Sequence, residues 1–270
     1  MSTAERKFLY SGSEKEITEH AAALIITEAH RAVKDHGQFS LVLAGGKSPR
    51  QLYRHVAQGV TKDIFERYGL WASVENSVNQ EGETVSMPWA ETWLFWGDER
   101  RVPIAHPDSN YRMAVESLLE HAPLPENHIF RMPAEKEDSE KAAREYEETI
   151  SAFFRATYPY CLQDFPMFDF IILGLGEDGH TASLFANNAD VLKKQQRWVL
   201  AVDEPRANPP GKRLTLSLPV TNHARNVLFY TTGKEKSRLA EKIFLNKERL
   251  LPASLVRPEK GMTFWFTAQL

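Results

Sequence analysis

The sequence predicts an α/β protein in which a mostly parallel sheet is covered on both faces by helices. Short apolar runs alternate with helical patterns along the chain, as right-handed β-α-β units require. The runs are nearly continuous in aliphatic and aromatic residues, the pattern of strands buried on both sides. Three of them lead straight into polar segments that carry glycine: Gly45-Gly46-Lys47-Ser48-Pro49, Gly97-Asp98-Glu99-Arg100-Arg101 and Gly174-Leu175-Gly176-Glu177-Asp178-Gly179-His180.

The elements follow in order. Ile17, Ala21, Leu24, Ile25, Ala29, Ala32 and Val33 have helical spacing and predict a helix over 14–35, ahead of Gly37. Ser40-Leu41-Val42-Leu43-Ala44 reads as a buried strand. Ser48 is placed to cap the next helix, with Pro49 in its first turn. Thr92-Trp93-Leu94-Phe95-Trp96 is a second strand, and Asp98–Arg101 a charged loop after it. Ser109 caps a helix carrying Tyr111, Val115, Leu118 and Leu119, and a long charged helix follows over 138–156. The strand at 168–173 is the clearest, and Thr181–Phe185 reads as a helix start that stiffens the loop before it. Further strands are expected near 197–202, 213–218, 226–231 and 262–267, with a helix over 234–246.

With 270 residues the chain can bury a full core. No linker, repeat or low-complexity segment divides it, so one domain over 1–270 is expected. The stretch 61–91 is the least regular and a candidate insertion, with Asn76–Ser86 a surface loop. Basic and acidic residues number 33 and 36, for a net charge of -3. That balance argues against nucleic acid as the main partner, which would call for a basic face. A lone Cys161 allows no intrachain disulfide, and Tyr158-Pro159-Tyr160-Cys161-Leu162 offers no basic neighbour to activate the thiol. The N-terminus lacks an apolar signal region, and no apolar run reaches the roughly 18 residues of a membrane span, so a cytoplasmic protein is expected.

The three glycine-bearing segments converge on one edge of the sheet, at the carboxyl ends of the strands, where ligands bind in open α/β sheets. Gly45, Gly46, Lys47 and Ser48 form a turn into a helix N-terminus, which suits a phosphate but equally suits a plain strand-to-helix turn. It is not a P-loop. Gly174, Gly176 and Gly179 fit the bare GxGxxG pattern, yet Glu177 and Asp178 inside it would repel a pyrophosphate. Attention therefore moves to His180 as a general base and to Asp178, two residues away, as the carboxylate that orients or charges the ring. Asp98 and Arg100 start close to the sheet edge, and an arginine there can clamp an anion in a forked geometry. Lys236, early in the helix after Gly233, is a further cation. His20, His30, His36 and His55 are expected on exposed helix faces or ends. His106, His121, His128 and His223 sit among loop-like residues. No paired metal-ligand spacing occurs, so no metal site is expected.

Taken together, the segments resemble the glucosamine-6-phosphate isomerase/6-phosphogluconolactonase family. The match rests on LVLAGGKSP at 41–49, WLFWGDERRVP at 93–103 with Ser109-Asn110-Tyr111, and FDFIILGLGEDGHTASLF at 168–185. It continues through Lys212-Arg213-Leu214-Thr215-Leu216, Gly233 with Lys236, LPASLV at 251–256, Gly261 and Trp265. The resemblance implies a modified Rossmann-like fold, hydrolysis of 6-phosphoglucono-1,5-lactone to 6-phosphogluconate in the oxidative pentose phosphate pathway, and no required cofactor. By matched position it implies His180 as base, Asp178 as its carboxylate, Gly45, Gly46 and Ser48 around the phosphate, and Arg100, Arg213 and Lys236 as cationic contacts. Two positions depart: Lys47 stands where the family usually has Ser, and Asn187-Asn188 where it commonly has Pro-Gly.

The expected partner is the sugar-phosphate lactone, with no nucleic acid or membrane, and the chain a monomer or small homo-oligomer. Two rivals remain. An isomerase-deaminase acting on glucosamine 6-phosphate would carry a Glu after the histidine, where this chain has Thr181-Ala182-Ser183-Leu184-Phe185. A non-catalytic sugar-phosphate sensor would bind without turnover.

Overall fold

The order of the strands decides where a ligand can enter. The computed structural model describes residues 6–78, 83–157, 164–188, 191–192 and 196–268, so Cys161 lies outside the described residues. The strands are β1 (Lys7–Gly12), β2 (Phe39–Leu43), β3 (Val60–Thr61), β4 (Thr84–Val85), β5 (Thr92–Trp96), β6 (Asp98–Arg100), β7 (Ile129–Phe130), β8 (Phe170–Leu173), β9 (Val199–Glu204), β10 (Gly211–Leu216), β11 (Asn226–Thr231) and β12 (Met262–Ala268). The α-helices are α1 (Glu14–His36), α2 (Arg50–Gln58), α3 (Lys62–Arg67), α4 (Asn110–Ser117), α5 (Ser139–Thr157), α6 (Leu218–Asn222) and α7 (Lys234–Phe244).

The main sheet has the order β1-β12-β11-β8-β2-β5-β7, and each neighbouring pair is parallel. From β2 the chain steps outward to β5 and β7; from β8 it steps the other way to β11 and β12. Right-handed crossovers then put α1 to α4 on one face and α5 to α7 on the other. Accordingly α2 packs on α1 and α4 on α2, whereas α7 lies on β12 and β11. The direction reverses between β2 and β8, so the loops leaving these two strands diverge and open a crevice at their carboxyl ends.

Local chemistry explains the elements. Ser13 starts α1 through a capping box: its Oγ accepts from the Glu16 N–H at 3.2 Å, and its own N–H donates to Glu16 Oε2 at 2.8 Å. Gly37, at φ 87°, ends the helix in the left-handed conformation that glycine adopts without strain. Ser109 caps α4 as expected, accepting from the Arg112 N–H at 3.1 Å.

Four expectations are corrected. Asp98–Arg100 is a strand, in a second, antiparallel sheet of order β6-β10-β9. Gly97 is the corner: its N–H donates to Leu43 of the parallel sheet at 3.0 Å, and its carbonyl accepts from Leu216 of the other sheet at 2.8 Å. Ser48 does not cap α2; its hydroxyl lies 2.8 Å from that of Thr232, and Pro49 holds the cap position with no side-chain bond. Thr181–Phe185 begins no helix; Thr181 bridges Leu184 around Ala182, whose φ is 47°. His20 is buried, not exposed, with its ring stacked on Tyr68 at 4.0 Å. β1 was not foreseen either, and across the irregular stretch 61–91 the short antiparallel pair of β3 and β4 joins Val60 to Val85.

Burial pushes the His20 pKa down to about 4. The folded ring stays neutral while an unfolded one takes up a proton near pH 6.5. The unfolded state therefore binds more protons below that pH, and stability should be full above about pH 6.5 and fall toward pH 4. Urea titrations across this range should show the decline, and His20→Phe should flatten it; an equal slope in both proteins would remove His20 from the acid response.

Candidate active site

A cleft of ≈ 230 Å³ opens at the crevice between β2 and β8, with the second sheet as its far wall. Gly45, Gly46, Lys47, Ser48, Asp98, Arg100, His180, Arg213 and Lys236 all line it. Of the residues given a catalytic or binding role in the sequence, Asp178 alone stands outside the lining, and it bonds His180. Sequence positions almost 200 apart thus meet because four elements end at one edge.

The loop after β2 can approach a ligand closely because of its glycines. A Cβ on Gly45 would lie 1.9 Å from Asn110 Oδ1, so only glycine fits between the loop and α4. Gly46 has φ 88°, which favours glycine by conformation and not by space. No side chain caps α2, and its N-terminal end faces this loop with its dipole unshielded.

The loop after β8 holds His180. The Gly176 N–H donates to the His180 carbonyl at 2.9 Å, and the Thr181 hydroxyl donates to the Gly174 carbonyl at 2.8 Å. Asp178 Oδ1 accepts from the His180 N–H at 3.1 Å and lies 2.5 Å from ring Nδ1. Burial acts to raise the Asp178 pKa, but the His180 N–H bond and the imidazole charge outweigh it, and the net shift is downward. An ionised carboxylate only accepts, so Nδ1 carries the hydrogen and Nε2 keeps its lone pair for chemistry.

The far wall is cationic. Arg213 and Arg100 are directly opposed in the β10–β6 pairing, an arrangement of like charges that an anion would relieve. Arg213 is only 4% exposed and donates to the Pro209 carbonyl; Arg100 donates to the Asp108 carbonyl at 2.7 Å. The Nε of each arginine is buried without a partner. Burial lowers the Arg213 pKa, the Asp98 charge opposes this, and the Arg100 charge adds to it. Unpaired buried donors on two guanidinium groups are a strong invitation to phosphate or carboxylate.

Asp98 lines the cleft with its carboxylate already engaged, accepting from the Ser183 hydroxyl at 2.7 Å and from Asn110 Nδ2 at 3.1 Å. Glu99 points the other way and accepts from the Asn110 and Tyr111 N–H groups, both at 2.8 Å, which fastens the start of α4. Asn110, Ser183 and the Ala207-Asn208 segment are site residues that the sequence reading missed. Asn110 and Ser183 fall inside motifs quoted for the family resemblance but were given no role there, and Ala207-Asn208 carried no signal. Among the described residues no cluster of three or more His, Cys, Asp or Glu can hold a metal, and no helix is long and apolar enough to cross a membrane.

Fold and site together define an α/β protein with a switch-point cleft, a cationic far wall and a carboxylate-held histidine in its lining. The profile of the glucosamine-6-phosphate isomerases/6-phosphogluconolactonase family matches residues 12–265, and the chain belongs to that family. It is similar to the 6-phosphogluconolactonase of Synechocystis sp., at 32% identity over 94% of this chain and 91% of that protein. Among solved structures it resembles 6-phosphogluconolactonase from Thermotoga maritima, with TM-score 0.76 and 27% identity over 98% of this chain and 100% of that one. The enzyme of the same name from Trypanosoma cruzi superposes with TM-score 0.74 at 28% identity, over 99% and 96% of the two chains.

Proposed function

We propose that this chain is a 6-phosphogluconolactonase, hydrolysing 6-phospho-D-glucono-1,5-lactone to 6-phospho-D-gluconate. The observation that carries the reading is the Asp178–His180 pair at the edge of a cleft whose opposite wall holds two under-paired arginines. The relatives named above support the choice of substrate.

The mechanism follows from ester chemistry. The phosphate sits in the loop of Gly45, Gly46, Lys47 and Ser48 and against Lys236 and Arg213. His180 Nε2 removes a proton from water as its oxygen attacks the lactone carbonyl. Asp178 stabilises the imidazolium that forms, and Arg100 faces the tetrahedral oxyanion. The imidazolium returns its proton to the ring oxygen as the C–O bond breaks, and the product acid releases a proton to solvent. The phosphate contacts exist in ground and transition states alike, so they set affinity more than turnover.

The test is hydrolysis of freshly made lactone against its spontaneous background. Turnover well above background supports the reading. Ammonia release from glucosamine 6-phosphate would replace it with the isomerase-deaminase, and binding of 6-phosphogluconate without turnover would replace it with a sensor. Lys236→Ala should raise KM by about 10- to 100-fold with kcat little changed, the value of one charge-assisted phosphate contact. A loss confined to kcat would contradict a binding role for Lys236.

A further inference from the structure

We propose that Phe185 is the residue that fixes the orientation of the His180 imidazole, a positioning residue for the hydrolysis, whose mechanistic meaning rests on the function proposed above. Its ring lies against that of His180, with centroids 4.5 Å apart and planes inclined by 34°. The Arg213 guanidinium lies 5.8 Å from the same phenyl centroid. The phenyl ring is thus shared between the base and a cation of the far wall.

Asp178 alone cannot hold the imidazole. Its side chain is 63% exposed, and a single contact at Nδ1 fixes a distance while leaving rotation about that contact open. The Gly176 backbone closes on the same Nδ1 edge that Asp178 holds, where a Cβ would lie 2.1 Å from the ring nitrogen. Phe185, by contrast, is 3% exposed and rooted in a small core with Leu184, Val191, Leu200 and Val202. The backbone that carries it is pinned twice. The Ser183 N–H donates to Thr215 Oγ1 at 3.2 Å, and the Ser183 hydroxyl donates to the buried Asp98. A rigid path therefore runs from the second sheet through Ser183 and Phe185 to one face of the base. An aromatic face also attracts the imidazolium more than the neutral ring, so the contact strengthens as the base takes up its proton.

The experiment compares wild type, Phe185→Leu and Phe185→Tyr by steady-state kinetics and by nitrogen-15 NMR of the histidine side chains. Phe185→Leu should lower kcat by about 10-fold, the scale of a misoriented catalytic group, and leave KM within about 2-fold. Phe185→Tyr keeps the aromatic face and should recover most of the lost kcat. Combined with Asp178→Asn, the Leu change should cost less than it does alone, since both hold one ring. The His180 resonances should report a single Nδ1–H tautomer in wild type and an averaged one in Phe185→Leu. Unchanged kcat, or a raised KM with kcat intact, would overturn the assignment; the second result would make Phe185 a support for Arg213 alone. Should Phe185→Leu lose its near-ultraviolet circular dichroism, Phe185→Met takes its place under the same criteria. If wild type fails to hydrolyse the lactone, the functional reading falls, while the NMR comparison still decides whether Phe185 holds the ring.

Discussion

His180→Ala is expected to reduce kcat by about 10²- to 10⁴-fold, the contribution of one general base. Affinity for 6-phosphogluconate should persist, because the phosphate contacts proposed above come from the β2 loop, α7 and the second sheet and not from the imidazole. Kinetics on freshly prepared lactone and titration calorimetry with the product separate the two effects. A variant with wild-type turnover would remove His180 from the mechanism. A variant that neither turns over nor binds would instead point to a collapsed cleft. The carboxylate partner gives a weaker, parallel effect, since an Asp178→Asn ring keeps its nitrogen but loses its preferred tautomer.

Gly176→Ala should be nearly as damaging, though the residue carries no reactive atom. A Cβ there would lie 2.1 Å from His180 Nδ1 and 2.6 Å from Asp178 Oδ1, far inside contact distance. The backbone cannot yield, because the Gly176 N–H is bonded to the His180 carbonyl and its own carbonyl accepts from Gly179. The imidazole and carboxylate must therefore separate. Turnover should fall by about 10²-fold or more, comparable with displacing a base by an ångström. Because the strain is confined to one loop, the thermal midpoint should change little. A Gly176→Ala enzyme with normal kcat would show that the Asp178–His180 contact is dispensable.

The fold and much of the site were legible because hydrophobic burial writes itself into the sequence. β2, β5, β8, β11 and β12 are continuous apolar runs, and the glycines after three of the central strands mark the edge where the cleft forms. What escaped has a physical reason in each case. β6 alternates Asp98 and Arg100 toward the cleft with Glu99 toward α4, a strand periodicity written in charges, which carries no hydrophobic signal. β1 is an edge strand that pairs with one neighbour, and its residues are at most half-buried, so it carries no buried apolar run. Ser48 looked like a helix cap because its position is right, yet Thr232, from a loop far along the chain, claims its hydroxyl. His20 looked exposed because a histidine stacked on tyrosine reads the same as one in water. Ser183 and Phe185 fell inside an apparent helix start, and their roles depend on partners in β6 and β10 that no local pattern announces.

The pairing of β1 with β12 reaches beyond the architecture of the sheet. Lys7 lies opposite Thr263, so β1 has no seat until synthesis has passed β12. A nascent chain emerging from the ribosome must keep one early strand waiting, and β11 keeps an open edge on the side where β12 will join. Such long-range parallel closure is slow, and the waiting edges are where partly made or C-terminally shortened chains would stick to one another. For this protein, proteolytic loss of β12 would unseat β1 as well and leave the edge of β11 open.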